Sequence, residues 1–293
     1  MSAPERDAVS TETEPSTEVE RLARRRRWFG GRTLSDGSRI AWWREILILG
    51  VLDIAYETVR NISSAKPSKA YENALRLIDW QKALGIWHEL AIQQWALGWT
   101  PLIVLANYFY GSVYIVATIA GLVFLYRRFP DDYPLHRNML AATTLLGLIG
   151  FATFPLMPPR LLDDTILLDG LNIGRFFGFV DTLVDYPTFW SFNDETMKAI
   201  SNQFAAMPSL HCAWAFWGAA VFYPRVRSWW AKALALGYPA MTIFVVVITG
   251  NHYFLDAVGG LAVFGVGVLL ARLFTRAGRG APVDQARNEM ATS

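Results

Sequence analysis

Long apolar stretches alternate with shorter polar segments over most of the chain. A helix needs roughly 20 predominantly apolar residues to cross the hydrocarbon core of a bilayer. Stretches of about this kind lie at residues 42–59, 101–126, 139–156, 209–223, 233–249 and 253–274. The pattern predicts an all-α, polytopic membrane protein with six transmembrane helices.

Two segments between these stretches have a different pattern. Over residues 70–96, apolar side chains recur at helical spacing among charged ones, which predicts one or two amphipathic helices at the membrane interface. The tryptophans expected at headgroup depth are Trp80, Trp87, Trp95 and Trp99. Residues 161–207 are rich in aspartate and aromatic residues and predict a long loop that covers a functional site.

The ends of the chain are polar, and charge gives the orientation. Residues 1–40 are predicted to be a disordered basic tail, residues 41–275 the membrane catalytic domain and residues 276–293 a second tail. The arginine-rich segments fall on one side of a six-span arrangement, so the positive-inside rule predicts that both termini are cytoplasmic. The 161–207 loop is then extracytoplasmic, in a multi-pass protein of the plasma membrane.

Composition excludes several other classes. The chain is 53% hydrophobic and only 18% charged, which does not suit a soluble domain. The net charge of +2 gives no indication of nucleic-acid binding. A single cysteine, Cys212, rules out an intramolecular disulfide.

Three reactive residues stand at the same ends of separate predicted spans. Arg160 follows the third span, and His211 and His252 begin the fourth and the sixth. Because an even number of crossings returns the chain to the face it left, all three are expected at the extracytoplasmic surface. This convergence predicts a shared site.

The histidines and a carboxylate fit nucleophilic chemistry. His252 and Asp256 are four residues apart at the start of a helix and therefore lie on one face. Asp256 would orient His252 as the nucleophile, and His211 would serve as the acid and base for the leaving and entering oxygens. Two histidines and one carboxylate are also a possible set of metal ligands, and interfacial packing is a further alternative.

Other residues predict an anionic, lipid-borne substrate. Arg160 offers a planar fork for phosphate oxygens, and Ser209 precedes a helix whose first amides can donate to an anion. Asp53 and Glu57 are one turn apart in the first span, where carboxylates are costly; they either bind a polar headgroup or pair with a neighbouring cation. Further candidates for headgroup contacts, at the start of the second span, are Asn107, Tyr110 and Tyr114.

The motifs around these residues resemble the type 2 phosphatidic acid phosphatase superfamily. Pro208-Ser209-Leu210-His211 is similar to its second motif, the interval from His252 to Asp256 to its third, and Pro158-Pro159-Arg160 to its first with the order altered. Where the third motif of the family carries a Ser-Arg pair, this chain has Val245 and Val246, so one phosphate-binding arginine is missing.

That departure resembles the inositol-phosphotransferase branch, which includes fungal inositol-phosphorylceramide synthases and bacterial relatives. The similar segments are residues 107–110, 154–160, 178–181, 205–211 and 249–256. Tyr114 differs from the histidine that the branch often has there.

The resemblance implies His252 as nucleophile, Asp256 as its partner and His211 as acid and base. It also implies that Arg160, Ser209 and Asn251 bind phosphate, with no metal or organic cofactor. The substrate would be a phospholipid or glycolipid in the membrane.

Three functions follow as hypotheses. The first is a phosphotransferase that moves a phospho-headgroup, with phosphoinositol as the candidate, between lipids at the outer leaflet through a phosphohistidine. The second is a phosphatase that acts on phosphatidate or on polyprenyl phosphate or diphosphate. The third is a non-enzymatic lipid-binding protein with the same fold.

Overall fold

The computed structural model describes residues 31–62, 66–164, 176–186, 188 and 204–291, which are mostly helical. Among these, residues 31–50 belong to one compact unit and the described residues from Val51 onwards to a second. The predominance of helix confirms the all-α class predicted from the sequence.

The first unit contains a short hairpin. Strand β1, Arg32–Thr33, pairs antiparallel with β2, Arg39–Ile40. Most of the predicted 1–40 tail lies outside the described residues, and its last ten residues hold this strand pair. Helix α1, Trp42–Ile62, contains Asp53 and Glu57, whose side chains also lie outside what the structure describes. A headgroup contact by these two carboxylates stays a prediction.

The remaining helices follow in chain order. Helices α2 to α5 are Pro67–Ala83, Glu89–Leu97, Thr100–Tyr108 and Tyr114–Arg128, the last two joined by a π-helical turn at Phe109–Val113. Helices α6 to α10 are Tyr133–Thr153, Thr182–Asp185, Leu210–Phe222, Trp229–Ile248 and Phe254–Ala291. Single 3-10 turns form at Pro159–Leu161 and Tyr223–Arg225.

Within the described residues, three segments are long and apolar enough to cross a membrane: Thr100–Arg128, Trp229–Ile248 and Phe254–Thr275. They carry exposed leucine, isoleucine and valine side chains of the kind a bilayer covers. The chain is therefore a membrane protein, but the count of six spans is not confirmed. Helix α8 has 13 residues, which at 1.5 Å each is about 20 Å, short of the roughly 30 Å of a bilayer core.

Helix α8 lies at the centre of the second unit and packs against α5, α6, α9 and α10. Its partners approach closely because glycines face it. A Cβ added to Gly260 of α10 would lie 2.5 Å from the Ser209 carbonyl oxygen, and one added to Gly147 of α6 would lie 2.5 Å from Leu210. These glycines therefore let the first turn of α8 lie directly against its neighbours.

Helices α2 and α3 confirm the predicted helical spacing of residues 70–96. Trp80, Trp95 and Trp99 are exposed, as expected of interfacial side chains. Trp87 instead packs against the rings of Phe179 and Tyr253. The faces of α2 and α3 that point into the protein also bury polar side chains.

Candidate functional site

His252 lies in a tight turn that connects α9 to α10. The turn begins at Gly250, whose φ of +67° is in the left-handed region, and the amides of Asn251 and His252 donate to the carbonyl of Val246. A Cβ at Gly250 would also lie 2.7 Å from the Gln93 amide nitrogen, so the position leaves no space for a side chain. The turn therefore fixes the backbone of His252 just before the start of α10.

His252 and Asp256 are hydrogen-bonded, as their spacing predicts. Nδ1 of His252 lies 3.2 Å from Oδ2 of Asp256, which also accepts from the Tyr253 amide at 2.9 Å. Both side chains are buried. When Nδ1 carries the proton that Asp256 accepts, Nε2 keeps its lone pair and is able to act as a nucleophile.

The surroundings of His252 favour its neutral form. Burial lowers the pKa of His252 to about 4; the Ala206 carbonyl, which favours the protonated ring, opposes this shift, and the positive charge of Arg160 adds to it. An uncharged imidazole at neutral pH is the form that can attack phosphorus.

His211 lies beside His252. It is the second residue of α8, and the two imidazole ring centres are 5.7 Å apart. The Ser209 amide donates to the Asp256 carbonyl at 3.0 Å, which ties the start of α8 to the first turn of α10. Ser209 itself is buried, and its hydroxyl accepts from the Cys212 amide at 3.4 Å as the N-cap of α8. Its predicted contact with phosphate stays untested.

Two tyrosines enclose the His211 ring. Tyr110 stacks on it with a centre-to-centre distance of 4.4 Å, and Tyr114 approaches edge-on at 4.5 Å. Tyr110 lies within the π-helical turn at Phe109–Val113 and Tyr114 directly follows it, so the wider winding of the turn brings both rings to the same face. These residues, predicted to contact a headgroup, thus lie at the site and position His211.

Arg160 supplies the positive charge of the site. Its backbone amide donates to the Gly250 carbonyl at 2.8 Å, and its Nε donates to Oδ1 of Asn251 at 3.0 Å. The guanidinium also forms a salt bridge with Asp181. Asn251 donates in turn to the Thr249 hydroxyl at 2.8 Å. Asn251 therefore orients the arginine, and its predicted contact with phosphate stays untested.

The model of the PAP2 superfamily matches residues 75–270, about two thirds of the chain. The chain belongs to the PAP2 superfamily. The matched range contains His211, His252, Asp256 and Arg160 with the elements that carry them. Members of the PAP2 superfamily are phosphatases or phosphotransferases that act on phosphate esters, and the chain is an enzyme of this kind with lipid phosphates as substrates. No curated protein and no solved structure shows significant similarity to it.

Buried polar side chains of α2 and α3 hold the segments that carry the PAP2 site. Glu89 accepts from the Phe254 amide at 2.9 Å, and Gln81 accepts from the Leu255 amide at 3.1 Å, so both cap the start of α10. Burial raises the pKa of Glu89, while the amide donors oppose the shift. The sequence interpretation missed these caps because it took polar positions of an amphipathic helix to face water.

A second set of contacts fastens the chain at residues 176–186. The Gln93 amide group pairs in both directions with the backbone of Val180 at 3.0 Å. Asp163 accepts from the amides of Phe177, Gly178 and Phe179 at 2.8 to 3.0 Å. The loop end that presents Asp181 to Arg160 is therefore held by side chains from two directions.

Asn107 also holds this loop. It is buried, donates to the carbonyls of Thr182 and Tyr186 at 2.7 and 3.1 Å, and accepts from the Thr182 hydroxyl at 3.0 Å. These contacts engage its whole amide group and make it a positioning residue. A headgroup contact by Asn107 stays untested.

The structure thus brings His211, His252, Asp256, Arg160, Asn251 and Ser209 to one place. Sequence reasoning did not assign Asp181, although the motif at residues 178–181 was an available signal. Among the residues that the structure describes, no three His, Cys, Asp or Glu side chains form a group that could hold a metal ion.

Proposed function

We propose that the protein is a membrane phosphotransferase that moves a phospho-headgroup, in the first instance phosphoinositol, from a donor phospholipid to a lipid hydroxyl. The observation that carries the proposal is the pair of imidazoles, with His252 held through Nδ1 by Asp256 and His211 beside it. Arg160 places a positive charge next to that pair.

In the first step, Nε2 of His252 attacks the phosphorus of the donor. A P–N bond forms, the P–O bond to the donor glycerol oxygen breaks, and His211 transfers its proton to that oxygen. Burial and the neighbouring His252 lower the pKa of His211 to about 3 in the free protein. The bound anionic phosphate must therefore raise this pKa, so that His211 enters the step protonated. The products are a diacylglycerol and a phosphohistidine that carries the headgroup. Asp256 stabilises the positive charge that develops on His252.

In the second step, the hydroxyl of the acceptor lipid attacks the same phosphorus. Its proton passes to His211, the P–N bond breaks, and His252 regains its lone pair. The sum of both steps exchanges one lipid oxygen for another on phosphorus, without a change of oxidation state.

The enclosure of the site supports a lipid hydroxyl as acceptor in preference to water. His252 is only 4% exposed. The loop beside Arg160 is fixed by Asp163, Gln93 and Asn107. Restricting water from a phosphohistidine lengthens its lifetime for an alcohol.

We place this site at the outer leaflet of the plasma membrane, with both termini in the cytoplasm. The distribution of arginines along the chain supports this orientation. Cysteines introduced singly near residue 163 and in the 127–138 segment, in a Cys212→Ala background, would test it. A membrane-impermeant maleimide should label the first and not the second in intact cells.

Two labelled substrates test the reaction. Full-length protein in vesicles would be given phosphatidylinositol labelled in inositol, and separately a polyprenyl phosphate labelled in phosphorus, each with a membrane lipid extract as acceptor. A transferase converts the first into a new inositol phospholipid. Release of free phosphate from the second, with no new phospholipid from the first, would establish a phosphatase instead.

Full activity is expected in EDTA, because histidines, Asp256 and Arg160 supply the nucleophile, the proton and the charge. The measurement is turnover before and after dialysis against the chelator. Activity that is lost and then restored by a divalent ion would contradict the proposed mechanism.

A further inference from the structure

We propose that Asp181 is a specificity-determining residue that makes the site select phosphodiesters over phosphomonoesters by charge. The inference rests on the proposed function, because it takes Arg160 as the group that binds the substrate phosphate. It adds that the substrate is selected by the charge of its phosphate group and that Asp181 is the residue responsible.

The carboxylate of Asp181 is fixed beside the guanidinium. One oxygen forms the salt bridge with Arg160, and the other accepts from the Leu183 amide at 3.1 Å. The Asp181 carbonyl also accepts from the amides of Val184 and Asp185. Both oxygens are therefore engaged, and the negative charge stays next to any phosphate that Arg160 binds.

Positive charge is scarce at this place. Within the described ranges, no second Arg or Lys has a hydrogen bond or ion pair with His211, His252, Asn251 or Asp181. Val245 and Val246 are buried apolar side chains in the helix that leads into the His252 turn. Among the described residues, the phosphate would thus meet one guanidinium, whose charge is already balanced by a carboxylate.

A phosphodiester and a phosphomonoester differ in charge. A diester carries one negative charge, whereas a monoester carries about 1.5 to 2 at neutral pH. The additional charge would be attracted by Arg160 and repelled by Asp181, whose carboxylate is in contact with the same guanidinium. The opposite charges of Arg160 and Asp181 therefore stabilise the additional negative charge only slightly, whereas its desolvation still costs free energy.

Asp181→Asn removes the charge and keeps the helix cap. Its single side-chain oxygen can still accept from the Leu183 amide, while an amide nitrogen takes the place of the oxygen that faces Arg160. Asparagine is as good an N-cap as aspartate. Asp163→Asn is the matched control. Asp163 holds the same loop through three backbone amides, and no hydrogen bond joins it to Arg160.

The experiment compares kcat/KM for phosphatidylinositol and for phosphatidate in vesicles of the same composition. We expect Asp181→Asn to shift the ratio towards phosphatidate by about tenfold, the scale of one additional charge interaction at partial screening. Asp163→Asn should lower both values together and leave the ratio within about twofold of the unmodified enzyme.

Two outcomes would overturn the inference. One is an unchanged ratio in Asp181→Asn, and the other is an equal shift in Asp163→Asn, which would assign the effect to the loop. If Asp181→Asn does not fold, Asp181→Ser gives the same test, because serine also caps a helix and carries no charge.

The result is separable from the proposed function. An enzyme that releases headgroups to water and makes no new phospholipid defeats the transferase, yet its ratio of substrates still tests Asp181. An enzyme that transfers headgroups but shows no shift in the ratio defeats the role of Asp181 alone.

Discussion

The histidine side of the site, His211, His252 and Asp256, is formed by helix ends, whereas the arginine side, Arg160 and Asp181, is formed by loops. His252 and Asp256 are buried and joined to the start of α8 through the Ser209 amide. The side chains of Arg160 and Asp181 are 13% and 19% exposed. Main-chain geometry thus fixes the proposed nucleophile, His252, while side-chain contacts fix the proposed phosphate-binding group, Arg160.

Substitution of His252, the proposed nucleophile, should have the largest effect, because it removes the central group of the histidine side. His252→Ala removes the only atom proposed to bond to phosphorus, so we expect a loss of at least about a hundredfold in turnover. Quenching at alkaline pH, where the P–N bond is stable, followed by mass spectrometry should find the phospho-headgroup on this residue in the unmodified enzyme. Unchanged cellular function with His252→Ala would contradict an enzymatic role for the site.

Substitutions of His211 and Asp256, the proposed partners of His252, should have the next largest effect. We expect His211→Ala and Asp256→Asn each to reduce turnover by about a hundredfold or more, through loss of the proton donor and of the tautomer-fixing bond respectively. A substrate with a 4-nitrophenol leaving group needs no proton, so it should restore bond cleavage in His211→Ala and not in Asp256→Asn. Equal rescue of both variants would show that the two residues do not divide these tasks.

Substitutions on the arginine side should have smaller effects, and these effects should fall on substrate binding. Gln93→Ala removes both hydrogen bonds to Val180, so we expect KM to rise about tenfold with a smaller change in kcat. Gln94→Ala is the matched control, since the neighbouring exposed amide donates a single bond to the Gly178 carbonyl. A similar rise in both variants would remove the distinction between the two sides.

The smallest expected effect concerns pH. Because burial lowers the pKa of His252 to about 4, its neutral form persists as pH falls from 7 to 5.5 and is lost only near pH 4. The acid limb of kcat/KM should therefore lie near pH 4. A limb near 6.5 would mean that His252 is not shielded in the working enzyme.

Local spacing allowed the sequence to predict the histidine side well. The His252–Asp256 contact follows from helical periodicity. The approach of His211 was expected because an even number of predicted crossings separates the two histidines. The roles of these residues stay predictions. The number of spans was less predictable, because the fourth predicted span, residues 209–223, forms a helix of only 13 residues.

The arginine side could not be predicted in the same way. Asp181 meets Arg160 across an irregular loop, where no period relates one residue to another. The inward positions of Gln81, Glu89 and Gln93 contradict the usual expectation for polar residues on an amphipathic helix. Only the positions of neighbouring main-chain amides make those side chains favourable inside.

Gly260 shows where this enzyme can be altered by directed evolution. The last helix touches the Ser209 carbonyl at that glycine, so even alanine would push the two histidine-bearing segments apart. Variant libraries at position 260 should return the parental codon. Libraries in residues 176–186, which contact the site through side chains, are where altered substrate preference can be selected.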